Sequence, residues 1–306
     1  MEKAIGIDLG GTSIYGGIIN DCGEILKSVE RETGKGVGAT EVLRRIILVI
    51  EDLLASESAI SGIGIGSPGF IDSNEGRVLS VGGNIEGWAS TDIKGALKKV
   101  FPKHQIFVGN DANLAGICEG WIGAGKNFNS FIMLTIGTGL GGAIYTYNQG
   151  IWQGHNYQGA ELGHAILYPN GRDCTCGQKG CVEQYVSGSA IEKLYLELTG
   201  KAKKGKDIFD LYKTDNMAKE VVNNFADNLA IYIASLKNIF DPEGILIGGG
   251  VIYSREYWWD RMINSYNKYV NNPDGISIVA ATNLNDAGLI GAGKMALDKK
   301  EKVLYE

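Results

Sequence analysis

Leu9-Gly10-Gly11-Thr12-Ser13-Ile14-Tyr15 and Leu140-Gly141-Gly142-Ala143-Ile144-Tyr145 resemble each other. The first follows the strand-like run Ala4-Ile5-Gly6-Ile7, the second the run Phe131 to Ile136. Each turns at glycines and continues into a further apolar or alternating run, 14–20 and 142–147, so each predicts a strand, a tight turn and a hairpin partner. A weak internal repeat of this kind predicts a duplicated α/β unit with a cleft between the copies. Chance similarity of Gly-rich hairpins is the alternative.

Outward from the first hairpin, the pattern predicts a strand from Ile25 to Arg31, a helix over 40–55, a strand from Ile60 to Ser67, a helix from Asp92 to Val100, a strand from Gln105 to Val108 and a helix from Asp111 to Trp121. Beyond the second hairpin come a long helix over 215–240, a buried strand Gly244-Ile245-Leu246-Ile247, the turn Gly248-Gly249-Gly250, a helix over 255–269, a strand over 276–280 and a last helix from Ala287. The expected division is an N-terminal α/β lobe over 1–120, with the helix 287–300 packing back on it, and a C-terminal α/β lobe over 121–286 carrying a metal site at 164–181.

The chain has 306 residues, 44% hydrophobic and 21% charged, which is ordinary globular composition and long enough for two domains. Net charge is −6, and the densest basic run, Lys201, Lys203, Lys204 and Lys206, reads as a solvated loop. Neither a nucleic acid nor a membrane partner is expected. No window approaches the ~18 uninterrupted apolar residues of a membrane span, and the N-terminus lacks the parts of a secretion signal. Five cysteines, an odd number without such a signal, argue for a reducing cytoplasm rather than a disulfide framework. Cys22 and Cys118 are expected to be isolated buried thiols.

Asp8-Leu9-Gly10-Gly11-Thr12 ends a strand. Its glycines let backbone N–H groups approach phosphate oxygens, Thr12 adds a hydroxyl, and Asp8 could hold magnesium. Gly137-Thr138-Gly139-Leu140-Gly141-Gly142 is a second such loop. It matches a dinucleotide fingerprint, but that fingerprint opens a helix, whereas Ala143-Ile144-Tyr145-Thr146 alternates like a strand. Gly64 to Gly69 and Gly120 to Asn127 are decoys, broken respectively by Pro68 and by Asn127 where a P-loop needs Ser or Thr. Asp111, where a strand meets a helix, fits two roles equally on spacing: a helix N-cap, or the base that accepts a substrate hydroxyl proton.

His164, Cys174, Cys176 and Cys181 spell H-x9-C-x-C-x4-C, a full tetrahedral zinc set with no open position, so the expected metal is structural. Glu161 and Glu183 flank the ligands, and folding around zinc would bring both carboxylates to one place, where they could accept from pairs of hydroxyls such as a sugar's; a plain surface charge is the alternative for either. One ring nitrogen of His164 would stay available to meet a hydroxyl.

Together DLGGT (8–12), Pro68-Gly69, NIEGW (84–88), ND (110–111), GTGLGG (137–142), E-x-x-H (161–164), CTCGQKGCVE (174–183) and the Gly248–Gly250 turn resemble the ROK family of bacterial sugar kinases and sugar-sensing repressors, from about Lys3 to Gly293. The resemblance implies two actin/hexokinase-like (ribonuclease H-like) lobes closing over the substrates. It implies ATP and Mg2+ as cofactors beside structural Zn2+. It assigns Asp8, Gly10, Gly11 and Thr12 to one phosphate loop and Gly137, Thr138 and Gly139 to the other. Gly248, Gly249 and Gly250 would lie by the adenosine. Asp111 would be the base for the sugar 6-hydroxyl, and Asn84, Asn110, Asp111, Glu161, His164 and Glu183 would hold the sugar. The expected activity is ATP-dependent hexose 6-phosphorylation, with glucose first and N-acetylmannosamine, N-acetylglucosamine or a β-glucoside as alternatives, in a homodimer or homotetramer. A repressor is disfavoured because no DNA-binding region precedes the loop that begins at residue 8. Ala143 and Ala160 depart from the common pattern at places where glycine is frequent, and the segment 154–158 leaves the sugar unnamed.

Overall fold

The structure, a computed structural model, describes all residues except 35, 81–84 and 299–306. The chain forms two compact units. Unit 1 comprises Met1–Lys126, Tyr145–Ala160 and the chain from Asn285 onward; unit 2 comprises Asn127–Ile144 and Glu161–Leu284. Residues 145–160 thus belong with the first unit, although they follow the second hairpin in sequence.

Unit 1 contains β1 (Lys3–Leu9), β2 (Ser13–Asn20), β3 (Ile25–Glu32), α1 (Ala39–Leu54), β4 (Ile63–Ser67), the small hairpin β5 (Phe70–Asp72) and β6 (Arg77–Ser80), α2 (Ile93–Val100), β7 (Ile106–Asn110) and α3 (Asp111–Trp121). Its sheet runs β3-β2-β1-β4-β7. The β1, β2 and β3 strands are antiparallel, and β4 and β7 add on in parallel. Unit 2 is built from β8 (Ser130–Ile136), β9 (Leu140–Thr146, whose last two residues fall in unit 1), α4 (Gly188–Thr199), α5 (Gly205–Asp210), α6 (Asn216–Phe240), β11 (Gly244–Gly248), α7 (Trp259–Tyr269) and β12 (Ser277–Ala280). The second sheet runs β10-β9-β8-β11-β12, where β10 is Gly150–Ile151 of unit 1. Both sheets therefore start with a three-strand meander and end with two parallel strands, which is the duplication the two glycine turns announce. Each core sits on the expected apolar faces. Val42, Ile46, Val49, Ile50 and Leu53 recur at helical spacing on α1 and are fully buried against β1 and β4 side chains such as Ile5, Ile7, Ile63 and Ile65.

The last helix, α8 (Ala287–Leu297), lies on unit 1 over a row of glycines. Gly17, Gly6 and Gly64 stand side by side on β2, β1 and β4. A Cβ at Gly6 would strike the Leu289 carbonyl, and one at Gly64 the Ala292 carbonyl. On the neighbouring face Gly291 of α8 touches the Leu114 carbonyl of α3. With no side chains between them, helix and sheet backbones meet directly, fixing the depth and rotation of α8.

The structure differs from the sequence pattern in places. The helix expected over 255–269 is broken: a 3-10 segment, Gly250–Tyr257, precedes α7, because Trp258 between them leaves helical geometry at φ −132°, ψ −19°. Cys118 is buried as expected, but Cys22 is exposed, since it sits in the turn between β2 and β3. The helix α4, capped by Ser187 and stopped by the left-handed Gly200, was not legible as an element. Among the described residues no helix is long and apolar enough to cross a membrane.

Candidate active site

Each hairpin turn has three residues, Gly10-Gly11-Thr12 between β1 and β2 and Gly137-Thr138-Gly139 between β8 and β9. A side chain on Gly11 or on Gly137 would meet no protein atom within 4 Å. Neither φ lies in the left-handed region. Packing and backbone geometry therefore do not demand glycine there; bare backbone beside open space suits an anion held by N–H groups.

What the protein holds is the carbonyl side of each turn together with its first N–H: Gly10 donates to the Ser13 carbonyl at 2.9 Å and Gly137 to the Gly139 carbonyl at 3.0 Å. In unit 1 the Thr33 hydroxyl donates to the Gly10 carbonyl at 2.7 Å and the Thr33 N–H donates to the Thr12 carbonyl at 2.9 Å. Thr33 is buried. In unit 2 the first N–H groups of α4 do the same work: Gly188 donates to Gly137 at 2.8 Å and Ser189 to Thr138 at 3.2 Å. A Cβ at Gly188 would sit 2.8 Å from the Gly137 oxygen, so glycine permits that approach. Thr33 and Gly188 escaped the sequence reading. Neither lies in a glycine loop; the only local signal is Ser187, a good cap residue ahead of Gly188.

Asp8 is the penultimate residue of β1, beside the first turn, and Asp111 opens α3. The cap of α3 is Asn110, whose Oδ1 accepts the Asn113 N–H at 3.1 Å while its Nδ2 donates to the Gly69 carbonyl at 3.1 Å. Asp111 is thus the first helical residue rather than the cap, and its Oδ1 accepts the Ala112 N–H at 2.8 Å. Both acids retain some surface exposure but are enclosed by protein on most sides. Burial, followed by repulsion from Asp111, pushes Asp8 up to about 7. Burial raises Asp111 as well, against the pull of its hydrogen-bond donors. Two crowded carboxylates favour a shared proton or a cation. The Asp8 carboxylate also lies on Gly288 in the first turn of α8, where a side chain would displace it.

In unit 2 the second turn gathers three of the sequence-selected groups. Glu183 accepts the Leu140 N–H at 2.9 Å and lies against Gly139. The E-x-x-H segment is a 3-10 turn, Leu162–His164, entered by Glu161, with the His164 N–H returning to the Glu161 carbonyl at 3.0 Å. Gly163 packs on the Leu140 carbonyl, and the buried Tyr232 hydroxyl donates to the Leu162 carbonyl at 2.6 Å. The left-handed Gly249 of the third glycine turn packs on Ile136 just before the same loop, while Gly250 faces open space. Asn84 lies outside the described residues. Ala160, before Glu161, has φ +62°; that left-handed geometry explains the preference for glycine at this place, and alanine tolerates it at a cost of about 1 kcal/mol.

The four metal-type donors of His164, Cys174, Cys176 and Cys181 all lie within 4.8 Å of one another. Cys176 and Cys181 sulfurs are 3.6 Å apart, and Cys174 Sγ is 3.7 Å from His164 Nδ1. A tetrahedron with arms of about 2.3 Å has edges of about 3.8 Å, so the set fits zinc. Burial and the adjoining thiols of Cys176 and Cys174 push the Cys181 thiol up to about 12, while Cys176, against the upward push of burial, is brought down to about 7 by hydrogen bonds from Gln178; a bound cation favours the thiolate form that ligates it. The left-handed Gly177 and Gly180 turn the chain between ligands. Nε2 of His164, the nitrogen away from the sulfurs, faces the Glu161 carboxylate at 4.0 Å.

The acid pair sets a pH dependence. Between the ordinary carboxylate value near 4 and Asp8's value of about 7, the folded chain binds more protons than the unfolded chain, so stability falls as pH rises through that window. Asp8→Asn should flatten this slope and raise the thermal midpoint at pH 8 more than at pH 5. Melting curves at both values check it; equal shifts at the two would refute the raised pair.

The comparisons with known proteins agree on one family. The ROK family model matches residues 4–299. A glucokinase of Thermotoga maritima is 34% identical over 315 residues, covering 97% of this chain and 98% of that one. Among solved structures, a ROK hexokinase from Thermus thermophilus superposes with a TM-score of 0.87 at 30% identity, covering 97% of this chain and all of that one. A ROK family glucokinase from Streptomyces griseus, in complex with glucose and AMPPNP, gives a TM-score of 0.82 at 29% identity, covering 97% and 99%. With a family match across nearly its whole length, two sheet-bearing units and both glycine turns in place, the chain belongs to the ROK family.

Proposed function

We propose that the chain is a sugar kinase that transfers the γ-phosphoryl group of ATP to the 6-hydroxyl of a hexose, with glucose as the leading substrate. The observation that carries this reading is Asp111. Its carboxylate is released from capping by Asn110, raised by burial, and placed in unit 1 with Asp8 at the end of the strand that enters the first glycine turn.

Asp111 accepts the proton of the attacking 6-hydroxyl as its oxygen bonds to the γ-phosphorus, and the bond from that phosphorus to the bridging oxygen breaks to leave ADP. A loose transition state makes proton removal late, and a carboxylate with raised pKa is a stronger base for it. The backbone N–H groups of 11–12 and 138–139 hold phosphate oxygens, with the Thr12 and Thr138 hydroxyls as further donors. Asp8 would hold Mg2+, which neutralises phosphate charge when bound. Asn84, Asn110, Glu161, His164 and Glu183 hold sugar hydroxyls, and the Gly248–Gly250 turn lies by the adenosine. Zn2+ held by His164, Cys174, Cys176 and Cys181 is structural: four protein donors leave no position for a substrate. Its effect is to keep the His164 turn, and with it Glu161 and Glu183, in place.

Release of ADP with magnesium-ATP should be measured over glucose, N-acetylmannosamine, N-acetylglucosamine and a β-glucoside. Glucose should turn over fastest, and no turnover with any sugar would sink the kinase reading. Asp111→Asn should keep sugar affinity while losing about 10²- to 10⁴-fold in kcat; a near-normal rate would remove Asp111 from the base role. Elemental analysis of the purified chain should find about one zinc per chain, and stripping it with a chelator should lower sugar affinity. A zinc-free chain with unchanged KM for sugar would contradict the structural zinc.

A further inference from the structure

Unit 1 holds a cavity of about 450 Å3 that contains none of the residues assigned above. Its walls come from the C-terminal end of α3, the last residues of β9, the turn into β10 and the end of α8. One wall is fixed by contacts within it. Lys294 Nζ lies 4.8 Å from the centre of the Trp121 ring and bonds the Asp298 carboxylate at 2.5 Å. The Tyr145 ring rests on Gly120, where a Cβ would come within 2.9 Å of it. Glycine inside a helix is unfavourable by about 1 kcal/mol, and here it makes room for an aromatic ring at the cavity.

Two other lining groups are uncommitted. Lys126 has no ion-pair partner among the described residues, whereas Lys294, also in the lining, is matched by Asp298. The side-chain amide of Asn148 likewise makes no hydrogen bond among them. The cavity thus combines a fixed aromatic wall, a polar amide and one uncompensated ammonium. Aromatic rings receive the face of a ring compound, amides bond its polar edge, and lysine serves as a point charge for phosphate.

We propose that this cavity is a second ligand site for a small phosphorylated ring compound, with its ring on the Trp121 and Tyr145 wall and its phosphate at Lys126. Two sources share this chemistry, a hexose phosphate and a nucleotide. The choice of phosphate over other anions rests on the phosphotransferase reading, whose products include both classes. Binding here also grips the end of β9, the strand that begins directly after the second glycine turn, so occupancy reaches that turn through one continuous strand.

Isothermal titration of the full chain, with glucose and magnesium-AMPPNP saturating, should be run with glucose 6-phosphate, AMP and inorganic phosphate. One of the first two probes binds, and its identity names the source. Lys126→Ala lowers its affinity about tenfold, as loss of one charge-assisted contact implies, and Asn148→Ala lowers it severalfold. Both side chains are solvent-exposed, so both variants keep the wild-type melting point and the kcat measured without probe. Binding of neither ring compound, unchanged affinity in both variants, or inorganic phosphate binding as tightly as either would overturn the proposal. If the phosphotransferase reading itself is wrong, glucose and AMPPNP fail to bind, while the two variants still locate the probe.

Discussion

The hydrogen bonds that hold the carbonyls of the two glycine turns are the constraint on which the candidate site depends. A tight turn of glycines has little stiffness of its own, and glycine loses the most conformational freedom on ordering. Thr33 supplies two bonds to the first turn, and the N-terminus of α4 supplies two to the second. Each bond contributes about 1 kcal/mol net, and together they orient each turn. With these carbonyls occupied, and with the Gly10 and Gly137 N–H groups closing their own turns onto the Ser13 and Gly139 carbonyls, the N–H dipoles of 11–12 and 138–139 are the ones that can take a phosphate without reorganising.

Around these turns the close backbone contacts do the placing. The glycine row Gly17, Gly6 and Gly64 lets α8 settle on the sheet, and Gly291 lets it meet α3. That contact brings the first turn of α8 to Asp8, while α3 carries Asp111 at its start. The same logic works in unit 2, where Gly163 brings the E-x-x-H turn onto Leu140 and Gly139 leaves room for Glu183. A single added methyl group at any of these contacts would meet a backbone or carboxylate atom. The glycine content of the chain is therefore divided between positions that permit close packing and positions, such as Gly11 and Gly137, that leave space open.

The sequence made the hairpins, α3, α6 and the four metal-type donors readable, because each rests on a local pattern: two-residue alternation, 3.6-residue spacing or close cysteine spacing. It left open whether Asp111 caps α3, and the structure gives the cap to Asn110, one residue earlier. What the sequence hid depends on tertiary contact. Thr33 bonds a turn 23 residues away, and nothing in its neighbours marks it. The strained φ of Ala160 cannot be read from alanine, a residue that rarely adopts it. Helical spacing carried the expected 255–269 helix through Trp258, where the backbone in fact breaks. Cys22 looked like a core thiol because cysteine is among the most buried residue types, yet it occupies a turn.

The central claim, that both turns are fixed by their carbonyls so that their N–H groups receive phosphate, can be tested at those atoms. Backbone amide resonances should be followed while magnesium-AMPPNP is titrated into the full chain. The account predicts that the amides of 11–12 and 138–139 shift and saturate with a single dissociation constant, and that Thr33→Val weakens that constant with little change in sugar binding. Amides of both turns that stay unmoved at saturating nucleotide would contradict it.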